Sequence, residues 1–250
     1  MTNELDGKVA IVTGAGRNIG RAIALALADA GASIVVNARN NRAEAEAVAR
    51  EVEATGRKAL VHIGDVANAA DVEAMVEAAV KQFGRIDILV NNAALRREKP
   101  FAEMSYAEWR EIMNVTLDGA FHCVKAALPY LKKSGAGTIV NIGGLSAHTG
   151  ARNRAHVVTA KAGIVGFSRA LAHDLAPDGI TVNCVVPGLI GTPRPKGQPE
   201  PAHHLIHQTI TGERGRPEDV AAAVRFLCGP GARYINGQAI HSSGGAYLGG

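Results

Sequence analysis

One stretch near the N-terminus constrains the fold of this 250-residue chain more than any other. It begins at Val9, ends at Gly20 and reads VAIVTGAGRNIG, a short apolar run followed by a turn with glycines at positions 14, 16 and 20. The helical pattern RAIALALADAG follows directly. A strand, a glycine turn and a helix in this order bring free backbone N–H groups and the positive end of a helix dipole to a phosphate. The stretch therefore predicts a cradle for the pyrophosphate of a dinucleotide.

Composition indicates one domain with no membrane segment. A chain of this length, 47% hydrophobic, can bury one substantial core. The start MTNELDGK is polar and no apolar run could span a bilayer, so we expect a soluble, cytoplasmic protein. Cys123, Cys184 and Cys228 lack paired spacing, which suits reduced thiols and predicts no metal site. A net charge of +4 without a basic tract, and 4% aromatic residues, argue against a nucleic-acid partner.

Beyond the glycine turn, short apolar runs alternate with helical patterns. Further strands are predicted at residues 33–37, 60–63, 86–91, 138–142, 180–186 and 238–241. Helices are predicted at 42–55, 71–83 and 155–176, from Pro217 onward, and from the capping residue Ser105 to about Leu131. Apolar strands separated by helices imply a parallel sheet covered on both faces. The predicted fold is α/β, a single doubly wound Rossmann-type domain spanning 1–250 with a seven-stranded parallel sheet.

Motifs spread over nearly the whole chain carry a family resemblance. They are TGAGRNIG (13–20), GDV (64–66), NNAA (91–94), NV (114–115), IVNI (139–142), AKAGIVGFSRALA (160–172), GITVNCVVPG (179–188), GRPEDVAAAVRFL (215–227) and GQAIHSSGG (237–245). Together they resemble the short-chain dehydrogenases/reductases, which implies an oxidoreductase that uses a nicotinamide dinucleotide. In the first turn the family usually has glycine where this chain has Asn18, and asparagine tolerates positive φ better than most residues.

Charge near the predicted cradle favours NADP(H) over NAD(H). An acidic residue after the second strand would bond the ribose 2′-OH of NAD, and this chain has Arg39 and Asn40 there instead. Arg39 and Arg17 offer two guanidinium groups to a 2′-phosphate, and in the family arginines at such positions accompany NADP(H). Two solvated surface arginines would give the same sequence.

The resemblance also assigns residues to the rest of the dinucleotide. Asp65 and Val66 resemble the pair that holds the adenine, although Asp65 alone could equally cap a helix. Asn92 and Ala93 resemble the segment that lines the adenosine ribose. The full predicted cofactor-binding set is Gly14, Arg17, Asn18, Ile19, Gly20, Arg39, Asn40, Asp65, Val66, Asn92, Ala93, Lys161, Pro187, Gly188 and Ile190.

The predicted catalytic site departs from the family. There, a Tyr four residues before a Lys handles the proton on the substrate oxygen, and a Ser after the fifth strand hydrogen-bonds the same oxygen. An Asn on the long helix maintains a water relay behind the Lys. Lys161 and Asn114 match the Lys and Asn positions, but the Tyr position is Val157 and the Ser position is Gly144. Neither replacement has a side chain that can donate a hydrogen bond.

Three hypotheses address the missing Tyr and Ser. In the first, the protein is an oxidoreductase whose acid is His156, His148 or Ser146. His156 has the best chemistry because an imidazole titrates near neutrality, although it lies about 140° around the helix from Lys161. In the second, the protein binds NADP(H) without turnover, as a sensor or partner subunit. In the third, the pocket runs a different reaction. We favour the first, with Asn114, Lys161 and His156 as the predicted catalytic set.

The loops beyond the strand ends are predicted to select the substrate. Their basic residues, which could attract an anionic small molecule or simply be solvated, are Arg96, Arg97, Arg152, Arg154, Arg194, Lys196, His203, His204 and His207. Four prolines predict a mobile lid at about 190–212: Pro193, Pro195, Pro199 and Pro201. The two longest predicted helices carry more apolar surface than one sheet face covers, and the family commonly forms tetramers, so we expect a homotetramer.

Overall fold

A computed structural model describes residues 3–192 and 208–249 and contains the predicted parallel sheet. Its strands are β1 (Val9–Val12), β2 (Ser33–Ala38), β3 (Ala59–Ile63), β4 (Ile88–Asn91), β5 (Thr138–Ile142), β6 (Thr181–Pro187) and β7 (Ala239–Ser242). They lie in the order β3-β2-β1-β4-β5-β6-β7, and every adjacent pair is parallel. The chain changes direction along the sheet between β1 and β4, the kind of point at which ligands bind beyond the strand ends. The predicted fold class is confirmed.

Helices cover both faces of this sheet. They are α1 (Asn18–Asp29), α2 (Arg42–Ala54), α3 (Ala69–Phe83), α4 (Tyr106–Met113), α5 (Gly119–Lys133), α6 (Ser146–Thr149), α7 (Ala155–Leu175) and α8 (Pro217–Cys228). Most bounds differ from the predicted ones by no more than two residues. Within the described ranges, none of the helices is long and apolar enough to cross a bilayer.

The single long helix predicted to start after Ser105 is wrong in one respect. A π-helical turn, Asn114–Asp118, separates α4 from α5. The Gly119 N–H donates to the Asn114 carbonyl five residues back, so one extra residue is fitted into the turn. Arg110 spans the turn, because its guanidinium donates to Asn114 Oδ1 at 2.7 Å and to Asp118 Oδ2 at 2.9 Å. The apolar pattern on either side is helical, so sequence periodicity gives no sign of the insertion.

Successive residues of the central strands pack into opposite cores. Val12 and Val36 belong to the cluster that includes residues of α1, α2 and α8. Ile11 and Val35 belong to the cluster that includes residues of α3, α5 and α7. Burying each of these side chains contributes about 1.5–3 kcal/mol, which makes the two-sided sheet a rigid support for the loops at its carboxyl edge.

Candidate functional site

The glycine turn after β1 has no room for side chains at its critical positions. Gly14 has φ +61°, and Asn18 takes a left-handed conformation with φ +51°. A β-carbon at Gly20 would lie 2.2 Å from the Gly14 carbonyl oxygen and 2.6 Å from Asn92 Nδ2. The turn therefore brings backbone against backbone, which leaves a cradle that a side chain at position 20 would close.

Helix α1 starts directly from this turn with its first N–H groups uncapped. Arg17 is the N-cap residue, makes no side-chain capping bond and is exposed, and the first turn has no acidic residue. The Ile19 side chain is buried in the core, so only its backbone faces the turn. A helix end with free N–H groups and no acid fits the pyrophosphate of a dinucleotide.

Two asparagines hold the turn in place. Asn92 Nδ2 donates to the carbonyls of Thr13, at 2.9 Å, and Gly14, at 3.0 Å. Asn37 Oδ1 accepts from the Gly14 N–H at 3.3 Å, while its Nδ2 donates to the Gly64 carbonyl at 3.1 Å. From the sequence we expect Asn92 at the ribose and assign no role to Asn37. The position of Asn37 near the end of a buried strand is the signal that could have indicated it, because a buried amide needs hydrogen-bond partners in the neighbouring backbone.

The predicted 2′-phosphate site lies where β2 ends. Arg39 and Asn40 are exposed, and Arg39 Nη1 lies 3.9 Å from Asp65 Oδ2. Asp65 Oδ1 accepts from the Ala67 N–H at 3.0 Å, whereas α3 is capped by Asn68, so Asp65 does not cap that helix. Val66, beside it, is buried. Arg39 thus stands at the rim beside one carboxylate, with its guanidinium partly in solvent.

At the catalytic end, a buried chain of hydrogen bonds fixes α7 to the sheet. Asn91 Nδ2 donates to Asn141 Oδ1, and Asn141 Nδ2 donates to Ser168 Oγ, both at 2.8 Å. Ser168 Oγ donates in turn to the Ile164 carbonyl. These hydrogen bonds join β4 and β5 to α7 at Ser168, about two helical turns beyond Lys161. The residues in this chain are hydrogen-bonded inside the core, so the helix has a single register on the sheet.

Lys161 is buried, with 8% of its surface exposed, and its Nζ donates to the Ile142 carbonyl at 2.5 Å. Burial lowers its pKa to about 8, and the cations of Arg96 and Arg154 act in the same direction. Arg154 is itself buried, at 7% exposure, and burial lowers its pKa too. From the sequence we expect both arginines in the loops at the rim of the site. Their proximity to Lys161 depends on the fold, and no local sequence pattern indicates it.

Gly144 and Val157, the predicted positions of the missing Ser and Tyr, have different surroundings. A β-carbon at Gly144 would meet Lys161 Cγ at 3.6 Å and Cδ at 4.0 Å, with nothing else within 4 Å. The Leu145 N–H donates to the Pro187 carbonyl at 3.0 Å, which ties this loop to the end of β6. Val157 is buried in a small cluster with Ile112 and Met113. The space beside the Lys161 stem is therefore open on the Gly144 side.

The loop after β6 continues the same edge of the site. A β-carbon at Gly188 would lie 2.6 Å from Ser243 Cα, and Ile190 forms a bridge with Gly215. The structure thus brings Pro187 alongside Leu145 and Gly188 alongside β7, whereas Ile190 pairs with Gly215. Residues 193–207 of the predicted lid, which include its basic residues Arg194, Lys196, His203, His204 and His207, lie outside the described residues.

The predicted catalytic residues Asn114 and His156 have different surroundings. Asn114 opens the π-helical turn, a feature that often marks a functional site. His156 is fully buried in the first turn of α7, and within the described ranges neither ring nitrogen makes a hydrogen bond. Burial lowers its pKa, and the charges that act on it are those of Arg154, Glu108 and Arg97. Because α7 begins at Ala155, His156 stays on a different face from Lys161, and its catalytic role stays a prediction.

Of the other two proposed acids, Ser146 is buried and His148 is partly buried. Ser146 is 8% exposed in α6. His148 packs with His241 and Tyr247, with ring centroids 4.6 to 5.1 Å apart. Burial lowers the pKa of both imidazoles. A search of the described residues for three or more His, Cys, Asp or Glu side chains able to hold a metal ion finds no such group.

Comparison with known proteins agrees with this geometry. A family model described as enoyl-(acyl carrier protein) reductase matches residues 14–247. The 3-oxoacyl-[acyl-carrier-protein] reductase of Staphylococcus aureus is 38% identical over 242 residues, covering 96% of this chain and 98% of its own. The reductase of the same name from Synechocystis is 39% identical over 245 residues, covering 98% of each chain.

Solved structures match equally closely. A short-chain alcohol dehydrogenase from Sinorhizobium meliloti superposes with a TM-score of 0.92 at 33% identity, over 98% of both chains. A short-chain dehydrogenase from Burkholderia cenocepacia, solved in complex with NADP, superposes with a TM-score of 0.90 at 35% identity, over 97% of this chain and 99% of its own. The chain therefore belongs to the short-chain dehydrogenase/reductase family.

Proposed function

We propose that the protein is an NADP(H)-dependent oxidoreductase that interconverts a small carbonyl compound and its alcohol. The observation that carries the proposal is the cradle between Gly14 and Gly20, which opens on the same sheet edge as buried Lys161. The names of the relatives, 3-oxoacyl-[acyl-carrier-protein] reductases and a dehydrogenase solved with NADP, support the direction and the cofactor.

The dinucleotide fits the residues at this edge. The N–H groups at the start of α1 bind the pyrophosphate, Arg17 and Arg39 bind the 2′-phosphate, and Asp65 lies near the adenine. The Lys161 ammonium hydrogen-bonds the nicotinamide ribose. NADPH, when bound, supplies a hydride to the substrate. Asn92 and Asn37 act one step back, because they hold the turn that presents the backbone donors.

The charges at the catalytic end favour an anionic substrate. Arg96 and Arg154 both lower the pKa of Lys161 by their charge, so positive charge is concentrated near this ammonium. A negative group on the substrate would be drawn to this charge, an attraction strengthened by the partly desolvated surroundings. The simplest anionic substrates are carbonyl compounds that carry a carboxylate and no phosphate.

A spectrophotometric assay tests the proposal. The protein is mixed with NADPH and a panel of carbonyl compounds that includes 3-oxobutanoate and its neutral methyl ester, and the absorbance of the reduced nicotinamide is followed. Turnover, with the anion preferred at low ionic strength, is the expected result. Tight NADPH binding without turnover of any compound would contradict it and favour the second candidate, a catalytically silent sensor or partner subunit. The missing side chains at Val157 and Gly144 are the observation that favours that candidate.

We also propose that the protein assembles into a homotetramer. Phe121 on α5 and Tyr106 on α4 expose 52% and 76% of their surface, a large apolar area for two neighbouring helices. Pairing these helices across a two-fold axis would bury both rings in a self-complementary contact. Light scattering at micromolar concentration should give about four times the chain mass of 26.0 kDa. The monomer mass would refute the proposal.

A further inference from the structure

The pocket has a group that can take over the proton transfer. Relative to the family pattern, Gly144 and Val157 lack two hydroxyl groups. The side chain of Lys161 borders the space beside Gly144. The position of a Gly144 β-carbon is in contact with the Lys161 stem and with no other atom within 4 Å. Val157 packs into an apolar cluster with Ile112 and Met113 of α4.

The Lys161 ammonium has hydrogen-bonding capacity left for a substrate. An ammonium has three N–H donors. Across the part of the chain that the structure describes, Nζ makes one hydrogen bond, to the Ile142 carbonyl at the end of β5. One further donor suffices for the cofactor ribose. The third can point at a carbonyl oxygen in the space beside Gly144, directly or through one water molecule.

The charges around Lys161 weaken its hold on a proton. Two cations act in this direction, Arg96 in the loop after β4 and Arg154 at the N-cap of α7, and both repel the ammonium. Cys184 on β6 acts in the opposite direction and raises the pKa of Lys161. Burial raises the pKa of the Cys184 thiol itself to about 11. With desolvation as the largest cause, the pKa of Lys161 falls to about 8, close to the value that suits a general acid at neutral pH.

We propose that Lys161 itself is the proton donor of this enzyme. As the carbonyl carbon accepts a hydride from bound NADPH, the carbonyl oxygen takes a proton from Nζ. One N–H bond breaks and one O–H bond forms, and the products are the alcohol, NADP⁺ and a neutral lysine amine. The amine then recovers its proton from water before the next cycle. The inference rests on the proposed oxidoreductase function and replaces His156, which lies on another face of α7, as the acid.

The first test measures the amine without turnover. The cofactor-free protein is treated with trace acetic anhydride between pH 6.5 and 10.5, and labelling of the Lys161 peptide is quantified by mass spectrometry against exposed Lys133. Half-maximal reactivity near pH 8 is expected. A midpoint near the ordinary lysine value of about 10.4 would overturn the inference. An amine labelled only in denaturant would do the same, because a substrate must reach the same atom.

The second test uses two variants. Lys161→Arg keeps a cation and N–H donors for the ribose, but a guanidinium does not release its proton. We expect kcat for 3-oxobutanoate to fall at least about a hundredfold, while NADPH affinity, measured by fluorescence, changes little by comparison. Lys161→Ala should be inactive and should regain rate in proportion to added ethylammonium, which guards against a misfit of the larger arginine.

The outcomes separate this inference from the function on which it rests. The wild-type rate should decline above about pH 8, because a general acid must be protonated. Absence of wild-type turnover with every carbonyl compound would overturn the proposed function and this inference together. Turnover that persists in Lys161→Arg, or an Ala variant that no amine rescues while His156→Ala abolishes the rate, would overturn this inference alone.

Discussion

The cofactor end and the catalytic end of the sheet edge are built on different principles. At the cofactor end, between β1 and β3, the glycine turn presents backbone N–H groups, and the amides of Asn37 and Asn92 bond the backbone of that turn. At the catalytic end, between β4 and β6, the chemistry depends on single side chains, and two of those expected there are absent. The scaffold of the catalytic end is nevertheless intact, from Asn91 through Ser168 to Lys161.

The difference shows which part of such a site can change without loss of the fold. Backbone donors are tied to the path of the chain, so a change at Gly20 alters the turn itself. A side chain at position 144 or 157 can be exchanged while the surrounding hydrogen bonds persist. We therefore expect cofactor binding to be robust to changes at the catalytic end, and the following experiments probe that separation.

The largest effect is expected where both missing groups are restored. The double variant Val157→Tyr with Gly144→Ser should gain carbonyl reductase activity with NADPH by about 10²–10⁴, the usual contribution of positioned acid catalysis. The Gly144 side has room, since a β-carbon there makes only ordinary contacts. Steady-state rates on simple ketones provide the measurement.

The matched controls are the two single variants. Tyr at 157 must enter a packed cluster with Ile112 and Met113, so overpacking is the main risk and thermal unfolding should accompany the kinetics. A wild type that already reduces simple ketones at ordinary rates, unaffected by alanine at His156, His148 or Ser146 and by Lys161→Arg, would mean that the alignment of the active-site helix is wrong.

The next effect tests the cofactor end. In Gly20→Ala the new β-carbon would stand 2.2 Å from the Gly14 carbonyl, so the turn must move. Overpacking of this kind costs about 1–3 kcal/mol, and NADPH binding should be lost with it. Gly166→Ala, at an exposed helix position with nothing within 4 Å of its β-carbon, is the control and should leave both properties nearly unchanged. Urea unfolding and calorimetric titration distinguish the variants.

A smaller effect is expected at the 2′-phosphate. Arg39→Ala should weaken NADPH binding by about 1–3 kcal/mol and leave NADH binding unchanged, because it removes one charge-assisted contact. Arg42→Ala, at a neighbouring exposed position paired with Glu46, serves as the control. Calorimetric titration measures both affinities. Equal affinities of the wild type for NADPH and NADH would rule out the assignment.

The smallest effect concerns pH and three imidazoles of the catalytic end, of which His156 is buried and His148 and His241 are partly buried. Burial lowers the pKa of His156, His148 and His241 below the ordinary value of 6.5. Near pH 6.5 these histidines therefore bind more protons in the unfolded chain than in the folded one. The free energy of unfolding should decrease as pH falls below 6.5.

Urea midpoints at pH 7.5 and 5.5 measure this dependence. His156→Gln should flatten it, whereas the exposed His173→Gln should not. Identical dependence in the wild type and in His156→Gln would show that His156 takes no part.

Strands, helices and turns are predicted well from the sequence, whereas contacts between side chains that are distant in the sequence are predicted poorly. The strand positions and their parallel arrangement follow from the apolar runs that alternate with helices, and the glycine spacing predicts the turn at Gly14. The π-helical turn at Asn114 leaves the apolar period intact, so it escapes prediction. Arg154 meets Lys161 only through the path of the loop before α7, and the amide contacts of Asn37 depend on three strand ends coming together.

The hydrogen-bond chain from Asn91 through Asn141 to Ser168 has a practical consequence for engineering. It anchors α7 from behind, at residues that touch neither position 144 nor position 157. A combinatorial library at those two sites would therefore sample different acids, bases and nucleophiles beside Lys161 while the position of α7 stays fixed. Different proton donors could then be compared on the same backbone.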